Sequence, residues 1–359
     1  MSRALVFNHA AGGNFEGCEL QLPNRDEPMM KDSDGPAHDE AHRAVLSEHR
    51  LVNGGGADNL RWLWVLAVAI AGLFSALWLI TAATPRFEPD DRTLMRGDAA
   101  RGRLVFAAAG CGSCHARPGQ SDPLNLGGGL ALASPFGTFR VPNISPDPID
   151  GIGSWMAADL ANALISGVSP AGEHYYPALP YPNYTGMRIE DVRDLYAYLQ
   201  TLPAISGRPP PHDLPLLFRI RRLLGLWKLL FFDAGGSEAR LNGDPVHDRG
   251  AYLVEVLGHC DDCHSTRNSL GAIKPSTRFA GGPDPEGTGF VPNITPSRIG
   301  QWSETEIAEI LMSGRTPEHR RVGSSMVDVV SNITQLPQSD RLAIARYIKS
   351  LPARPTPHP

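Results

Sequence analysis

Cysteine is scarce in this chain, five residues in 359. Four of the five stand in two pairs, and neither pair has a further cysteine close by that would complete a four-ligand zinc site. Charge of one sign is lacking as well. The net charge is −5 and no domain-wide basic face is visible, which gives no reason to expect nucleic acid as a partner. The glycine runs "NGGGAD" and "LGGGL" do not sit between a predicted strand and a helix, which argues against a nucleotide phosphate loop. No constellation for chemistry on an organic substrate is visible, so the chain is not expected to be an enzyme in its own right. Long apolar runs are missing with one exception.

That exception extends from Trp62 to Ala83, 22 residues without a charge. At about 1.5 Å per residue a helix of this length crosses a hydrocarbon core of about 30 Å. Trp62, Trp64 and Trp78 lie towards its ends, where indole rings favour the interface. A cleaved signal peptide is the rival reading. The run exceeds the usual apolar core of such a signal, and "LITAATP" is a weak cleavage site, so residues 61–83 are expected to form an uncleaved anchor. Charge does not orient it: Arg43, Arg50 and Arg61 precede the run, whereas Arg86, Arg92, Arg96, Arg101 and Arg103 follow. Residues 1–60 are polar and lack a helical period, and read as a disordered cytoplasmic tail containing an inert Cys18. Met29 and Met30 are alternative starts. Elsewhere, 32 prolines and 37 glycines predict turn-rich loops between modest helices.

The two cysteine pairs belong to "CGSCH" at 111–115 and "CDDCH" at 260–264. Cys-x-x-Cys-His is the attachment pattern of c-type haem: two thiols reach the two vinyl groups, two intervening residues set their spacing, and the adjacent histidine turns back to the iron. A zinc site would need further ligands near each pair and a thioredoxin-like site a βαβ setting, neither of which is visible; zinc or a disulfide is the remaining alternative. The expectation is two covalently bound haem c groups, held by Cys111, Cys114 and His115 and by Cys260, Cys263 and His264. Such attachment takes place outside the cytoplasm, which puts both units in the periplasm and leaves a single span in a bacterial inner membrane.

Duplication reaches beyond the pentapeptides. Tyr198 answers Tyr347, Pro203 answers Pro352, Trp155 answers Trp302, and "VPNI" at 141 recurs at 291. Each unit reads as helix, motif, long loop, helix, loop, helix. "GDAARGRLVF" and "DRGAYLVEVL" lead into the motifs. "WMAADLANALISG" and "SETEIAEILMSG" are the middle helices, ending at Gly167 and Gly314, the second opening on a Ser303–Glu306 capping box. "DVRDLYAYLQTLP" and "SDRLAIARYIKSLP" close the units, each stopped by proline. Tyr198 and Tyr347 are expected to pack across the first helices, where Gly102 and Gly250 permit close approach.

A sixth iron ligand has to come from the loop after each middle helix. Methionine is the usual donor in electron-transfer sites. Met156, on a helix beside Trp155, reads as core, which leaves Met187 in "PALPYPNYTGM"; in the second unit Met312 is helical and Met326 stands in "VGSSMVDVV". Met187 and Met326 are therefore favoured, with His174 and His319 as the competing donors.

"VPNISPDPIDGIGSW", "YYPALPYPNYTGM", "GAYLVEVLGHCDDCHSTRN" and "SSMVDVVSNITQL" resemble the cytochrome c subunits of bacterial membrane-bound dehydrogenases acting on alcohols, gluconate or aldehydes. The resemblance covers roughly residues 93–354. It implies a mostly helical protein of all-α class: two tandem class I-like cytochrome c domains, 93–206 and 244–354, behind an N-terminal transmembrane helix. It further implies electron transfer from a periplasmic dehydrogenase subunit towards quinone, a soluble cytochrome or a terminal oxidase. Met326 matches a recurrent family methionine and Met187 another. Leu179 stands where relatives often carry Met or Phe, and the family usually has three haem units where this chain shows two motifs. A dihaem cytochrome c peroxidase-like enzyme is the rival class; nothing beyond motif spacing resembles it. Residues 207–243 form a linker whose segment 214–232, "LPLLFRIRRLLGLWKLLFF", is apolar but interrupted by Arg219, Arg221, Arg222 and Lys228, too many charges for a second span. It reads first as an ordered strap between the units, with a membrane-surface helix or a dehydrogenase docking face as alternatives.

Overall fold

The computed structural model describes residues 54–233, 241–285 and 289–357. Most of the expected tail, with Cys18, Met29 and Met30, lies outside the described residues. Compactness divides the chain between Ala71 and Gly72. The apolar run lies in helix α1, Gly54–Ile80. Residues 54–60 are thus helical rather than part of the tail, and the helix stops three residues before the expected boundary at 83. Within it, Asn59–Ile80 is long and apolar enough to cross a bilayer, and none of it is buried by protein. Just past its end Thr81 is buried, its hydroxyl donating to Leu77 O at 2.7 Å, and Pro85 follows, which bars a continuing helix.

From residue 72 onward the chain forms one unit containing both motifs. Its first half runs α2 Ala99–Ala108, α3 Cys111–His115, strands β1 Ala131–Ser134 and β2 Gly137–Arg140, then α4 Ala157–Ala161, α5 Tyr181–Tyr184 and α6 Ile189–Leu199. A connecting helix, α7 Leu223–Phe231, leads to the second half: α8 Pro245–Ala251, strands β3 Gly282–Pro283 and β4 Phe290–Val291, α9 Pro296–Ile299, α10 Glu304–Ser313, α11 Met326–Ile333 and α12 Gln338–Ser350.

Helix α2 starts at Asp98, whose carboxylate accepts from the amides of Ala100 and Arg101 at 2.8 and 3.1 Å. It crosses α6 where a Cβ on Gly102 would stand 1.9 Å from Asp194 O and 2.8 Å from Tyr198 Cβ. The second half repeats the crossing: a Cβ on Gly250 would stand 2.0 Å from Ala343 O and 2.8 Å from Tyr347 Cβ. The two glycines and two tyrosines therefore do what their spacing predicts. So does the Ser303–Glu306 capping box, present in both directions, and so do Gly167 and Gly314, which end their helices at φ of 58° and 68°.

Three features depart from expectation. The unit is mostly helical, not strictly all-α, because each half folds a two-stranded antiparallel ribbon just before or within its "VPNI" segment. The predicted middle helix of the first half continues from α4 as a π-turn, Asn162–Ser166, and the helix before the second motif continues likewise through Tyr252–Leu257. Asn162 is buried there; its side chain accepts from the amides of Arg86 and Phe87 and donates to Phe87 O, fastening the chain that follows α1. Finally, Met156 is not core: it caps α4 and is 45% exposed. Its neighbour Trp155 is the residue that turns inward, which a helical projection centred one position off would misassign.

A continuous apolar cluster runs through both halves, from Leu126, Val192 and Leu199 to Leu253, Val256 and Ile344. Each such side chain removed from water stabilises the fold by roughly 1.5–3 kcal/mol.

Candidate functional site

Both motifs begin where a left-handed residue breaks the preceding helix. Gly110 takes φ 63° before Cys111, and His259 takes φ 34° before Cys260. Helical turns follow, with Ala116 N donating to Gly112 O at 2.9 Å and His264 N donating to Cys260 O at 3.0 Å. Cysteines three apart on such a turn are neighbours on one face. None of the four is in a disulfide. Burial pushes the Cys111 and Cys260 thiols up to about 12, so both remain protonated at neutral pH.

The histidines are held alike. His115 Nδ1 stands 2.9 Å from Pro142 O and His264 Nδ1 2.7 Å from Pro292 O. A carbonyl only accepts, so each Nδ1 carries the proton and the neutral ring presents the lone pair of Nε2. Burial, partly offset by these bonds, holds the His115 imidazole down to about 4 and the His264 imidazole below its ordinary value. Both rings are therefore neutral near pH 7, the form a metal requires, and the Nδ1 bond raises their basicity towards one.

The loops that carry these carbonyls are in turn held by repeated hydrogen bonds. Gly128 N donates to His115 O and Gly281 N to His264 O, each at 2.9 Å. Asn143 donates to Ile205 O at 2.6 Å while accepting from Ser145 N; Asn293 donates to Arg354 O at 2.9 Å while accepting from Thr295 N. Each asparagine thus ties the proline loop to the segment leaving the last helix of its half. Gly128, within "LGGGL", has φ 65°, and a Cβ there would come within 2.5 Å of the Pro142 backbone. None of these partners was singled out from sequence. The signal that pointed to them was the repeat of "VPNI", whose role in orienting the histidines was not apparent from pattern alone.

Met187 is buried in the apolar cluster, its amide donating to Tyr184 O at 2.8 Å, and Met326 is half-buried against the same cluster at the first turn of α11. Cys111 and Cys260 pack against that cluster too. Of the competing donors, His174 is buried with Nε2 2.9 Å from Thr81 O, close to the end of α1, and His319 and Met312 are exposed. Among the described residues no group of three or more His, Cys, Asp or Glu comes together to cage a bare ion. Each Cys-Cys-His set fits instead a flat group that carries its own metal and accepts two thiols along one edge.

Helix α5 sits between the motifs. Tyr184 donates to Ala109 O at 3.2 Å and its ring meets His259 edge to face, centroids 5.6 Å apart. Asn183 donates to Glu255 O at 2.9 Å and Asp261 Oδ1 at 2.7 Å, all three buried. Arg278 completes that cluster, pairing with Asp261 at 2.6 Å and Glu255 at 3.2 Å. The reciprocal contact runs from Asn332 on α11 to Ser113 of the first motif, 2.7 Å. The methionine-bearing region of each half thus touches the motif region of the other.

A sequence profile of the cytochrome c family matches residues 99–203. The chain is 49% identical over 290 residues to a protein of Cereibacter sphaeroides named "Diheme cytochrome c-type", covering 80% of this chain and 96% of that one. It is 36% identical to the fructose dehydrogenase cytochrome subunit of Gluconobacter japonicus, over 74% of this chain and 55% of that subunit. With the cytochrome c subunit of alcohol dehydrogenase (quinone) from Gluconobacter oxydans it shares 34% identity over 87% of this chain, spanning 64% of that subunit.

Proposed function

Because this chain belongs to the c-type cytochromes, we propose that it is a membrane-anchored dihaem electron-transfer subunit, taking electrons from a periplasmic dehydrogenase and delivering them to the respiratory chain. Haem c, covalently bound, supplies the one-electron redox change. Cys111 and Cys114 with His115 would hold one haem, and Cys260 and Cys263 with His264 the other, in two domains, 93–206 and 244–354. Met187 and Met326 would supply the further iron donors. Helix α1 is the single span and the haem domains face the periplasm. Quinone, a soluble cytochrome or a terminal oxidase is the acceptor.

The observation that carries the reading is the twice-built histidine: a neutral ring held by a proline carbonyl directly after a Cys-x-x-Cys turn, in both halves of one apolar core. A carrier needs such a rigid setting, because small changes in ligand geometry between redox states keep electron transfer fast. The names of the relatives support a dehydrogenase as donor and give no support to a peroxidase. Purified from its host membrane, the full chain is expected to bring a dehydrogenase with it and to be reduced on addition of that enzyme's substrate. Absence of any haem reduction in the presence of the companion subunit would overturn the assignment, as would brisk turnover of peroxide.

Met187→Leu and Met326→Leu are each expected to lower the potential of one haem by removing a thioether that favours the reduced iron, or to turn that haem high-spin. Redox titration with electron paramagnetic resonance reads both outcomes. Unchanged spectra would transfer the role to another donor.

A further inference from the structure

The segment between the halves is ordered on its inner side. Lys228 Nζ donates to Ser166 O at 2.6 Å and Gly167 O at 2.9 Å, capping the end of the π-turn, and Trp227 Nε1 donates to Leu270 O at 2.9 Å in the second half. Tyr176 donates to Phe218 O at 2.7 Å. These bonds tie the segment to both halves. Among the described residues nothing covers its other side: Leu216, Leu217, Ile220, Leu229 and Leu230 are 79, 60, 50, 56 and 69% exposed.

The level of this apolar side is fixed by contacts with the end of α1. Arg222 lies over the Trp78 ring, 4.2 Å from its centroid, and donates to Trp78 O. Gly225 lies against Thr81, where a Cβ would be 2.4 Å from Thr81 O. A helix that leaves the hydrocarbon near Trp78 and Ile80 necessarily sets residues 222–225 at the depth of the headgroups. Beside them, Arg219, Arg221 and Arg222 line a cleft of about 360 Å³ together with Glu173 and His174. Each guanidinium spends a donor on a backbone carbonyl, at Leu214, His174 and Trp78 respectively, out of the five that it carries. Glu173, 3.5 Å from Arg221, leaves the cleft net positive.

We propose that the outer face of residues 216–230 lies in the headgroup layer of an anionic phospholipid leaflet, its leucines inserted among the acyl chains and the three arginines on lipid phosphates. The inference rests on the reading of α1 as a membrane span. An exposed apolar face in water is a liability, whereas a bilayer that already covers α1 covers this face with no further partner. Leucine pairs flanking an arginine run suit such a boundary: phosphate binds guanidinium in bidentate fashion, and each cation near an anionic surface adds to the attraction.

The test uses the full haem-loaded chain with Cys18→Ser and one added cysteine, Leu217→Cys, Leu230→Cys or, as control, Ile149→Cys on a loop where Ile149 is 77% exposed. Haem spectra confirm that each variant is folded. In vesicles of phosphatidylcholine with phosphatidylglycerol, a charged maleimide is expected to alkylate positions 217 and 230 at least 10-fold more slowly than 149. The pair Arg219→Gln and Arg221→Gln should recover several-fold of that rate, and inorganic phosphate should change nothing. Equal rates at all three positions in lipid overturn the proposal. So does protection seen only after a dehydrogenase subunit is added, which would make the face a protein interface. Equal protection in purely neutral vesicles removes the arginine part. Release of the chain by alkaline carbonate would instead refute the span, and is read separately from the alkylation rates.

Discussion

Asp194 is 1% exposed and still ionised, and its neighbours explain why. Burial alone would raise its pKa, but the Arg101 guanidinium at 2.6 Å and the Asp98 amide at 2.7 Å outweigh it and hold the carboxyl below the ordinary 3.8. A carboxylate with a depressed folded pKa stabilises the native state above the unfolded value and loses that contribution as pH falls through the folded one. Asp194→Asn is therefore expected to cost about 1–3 kcal/mol at pH 7, the usual loss for a charged hydrogen-bonded group. Guanidinium unfolding should show this gap constant above about pH 5 and closing below about pH 4. At this scale the sequence was legible where chemistry demands a side chain at fixed spacing, as with the cysteines and histidines of the motifs. It was illegible where the working atom is a backbone oxygen: a carbonyl such as Pro142 O is chemically the same in every residue, and only the loop that Asn143 and Gly128 fold around it brings it to His115.

The elements repeat this division. Helices α10 and α12 were readable within a residue or two because apolar spacing, a capping box and a stopping proline agree, whereas α6 ends at Leu199, short of the proline expected to stop it. The ribbons escaped because strands of two to four residues carry too short a pattern to stand out from loop, and their pairing is set by the proline segment they deliver. Met156 escaped because a helix that starts one residue later turns its first position outward. The crossings at Gly102 and Gly250 are the elements' sharpest constraint, since a methyl on either would meet a backbone carbonyl that cannot swing aside. Gly102→Ala and Gly250→Ala are each expected to lose stability at or beyond the top of the roughly 1–3 kcal/mol range for overpacking, despite the gain in helix propensity. Thermal unfolding followed at the haem band measures it. A loss below about 0.5 kcal/mol would mean that α2 and α6, or α8 and α12, can slide apart.

For the whole unit from residue 72 onward, the halves share one apolar cluster and are locked by two reciprocal contacts of unequal worth. Asn183 reaches into a buried set of charges, Asp261 with Arg278 and Glu255, and satisfies both a carboxylate and a carbonyl there. Asn332 reaches Ser113 where water can replace either partner. Removing a partner from a buried charge leaves its desolvation uncompensated, whereas removing one at the surface costs little. Asn183→Ala is accordingly expected to destabilise by about 1–3 kcal/mol and Asn332→Ala by less than about 0.5. The form of the transition carries more than its midpoint: while the halves stay locked, loss of haem absorbance and of helical circular dichroism should coincide in guanidinium. With Asn183 gone the two curves should separate, one half opening before the other, because the second motif loses the tie that the first half lends it. Coincident curves in that variant would place the coupling in the shared apolar cluster and the remaining contacts between the halves, such as Tyr252 with Asp191, and leave the asparagine as a local satisfier of Asp261.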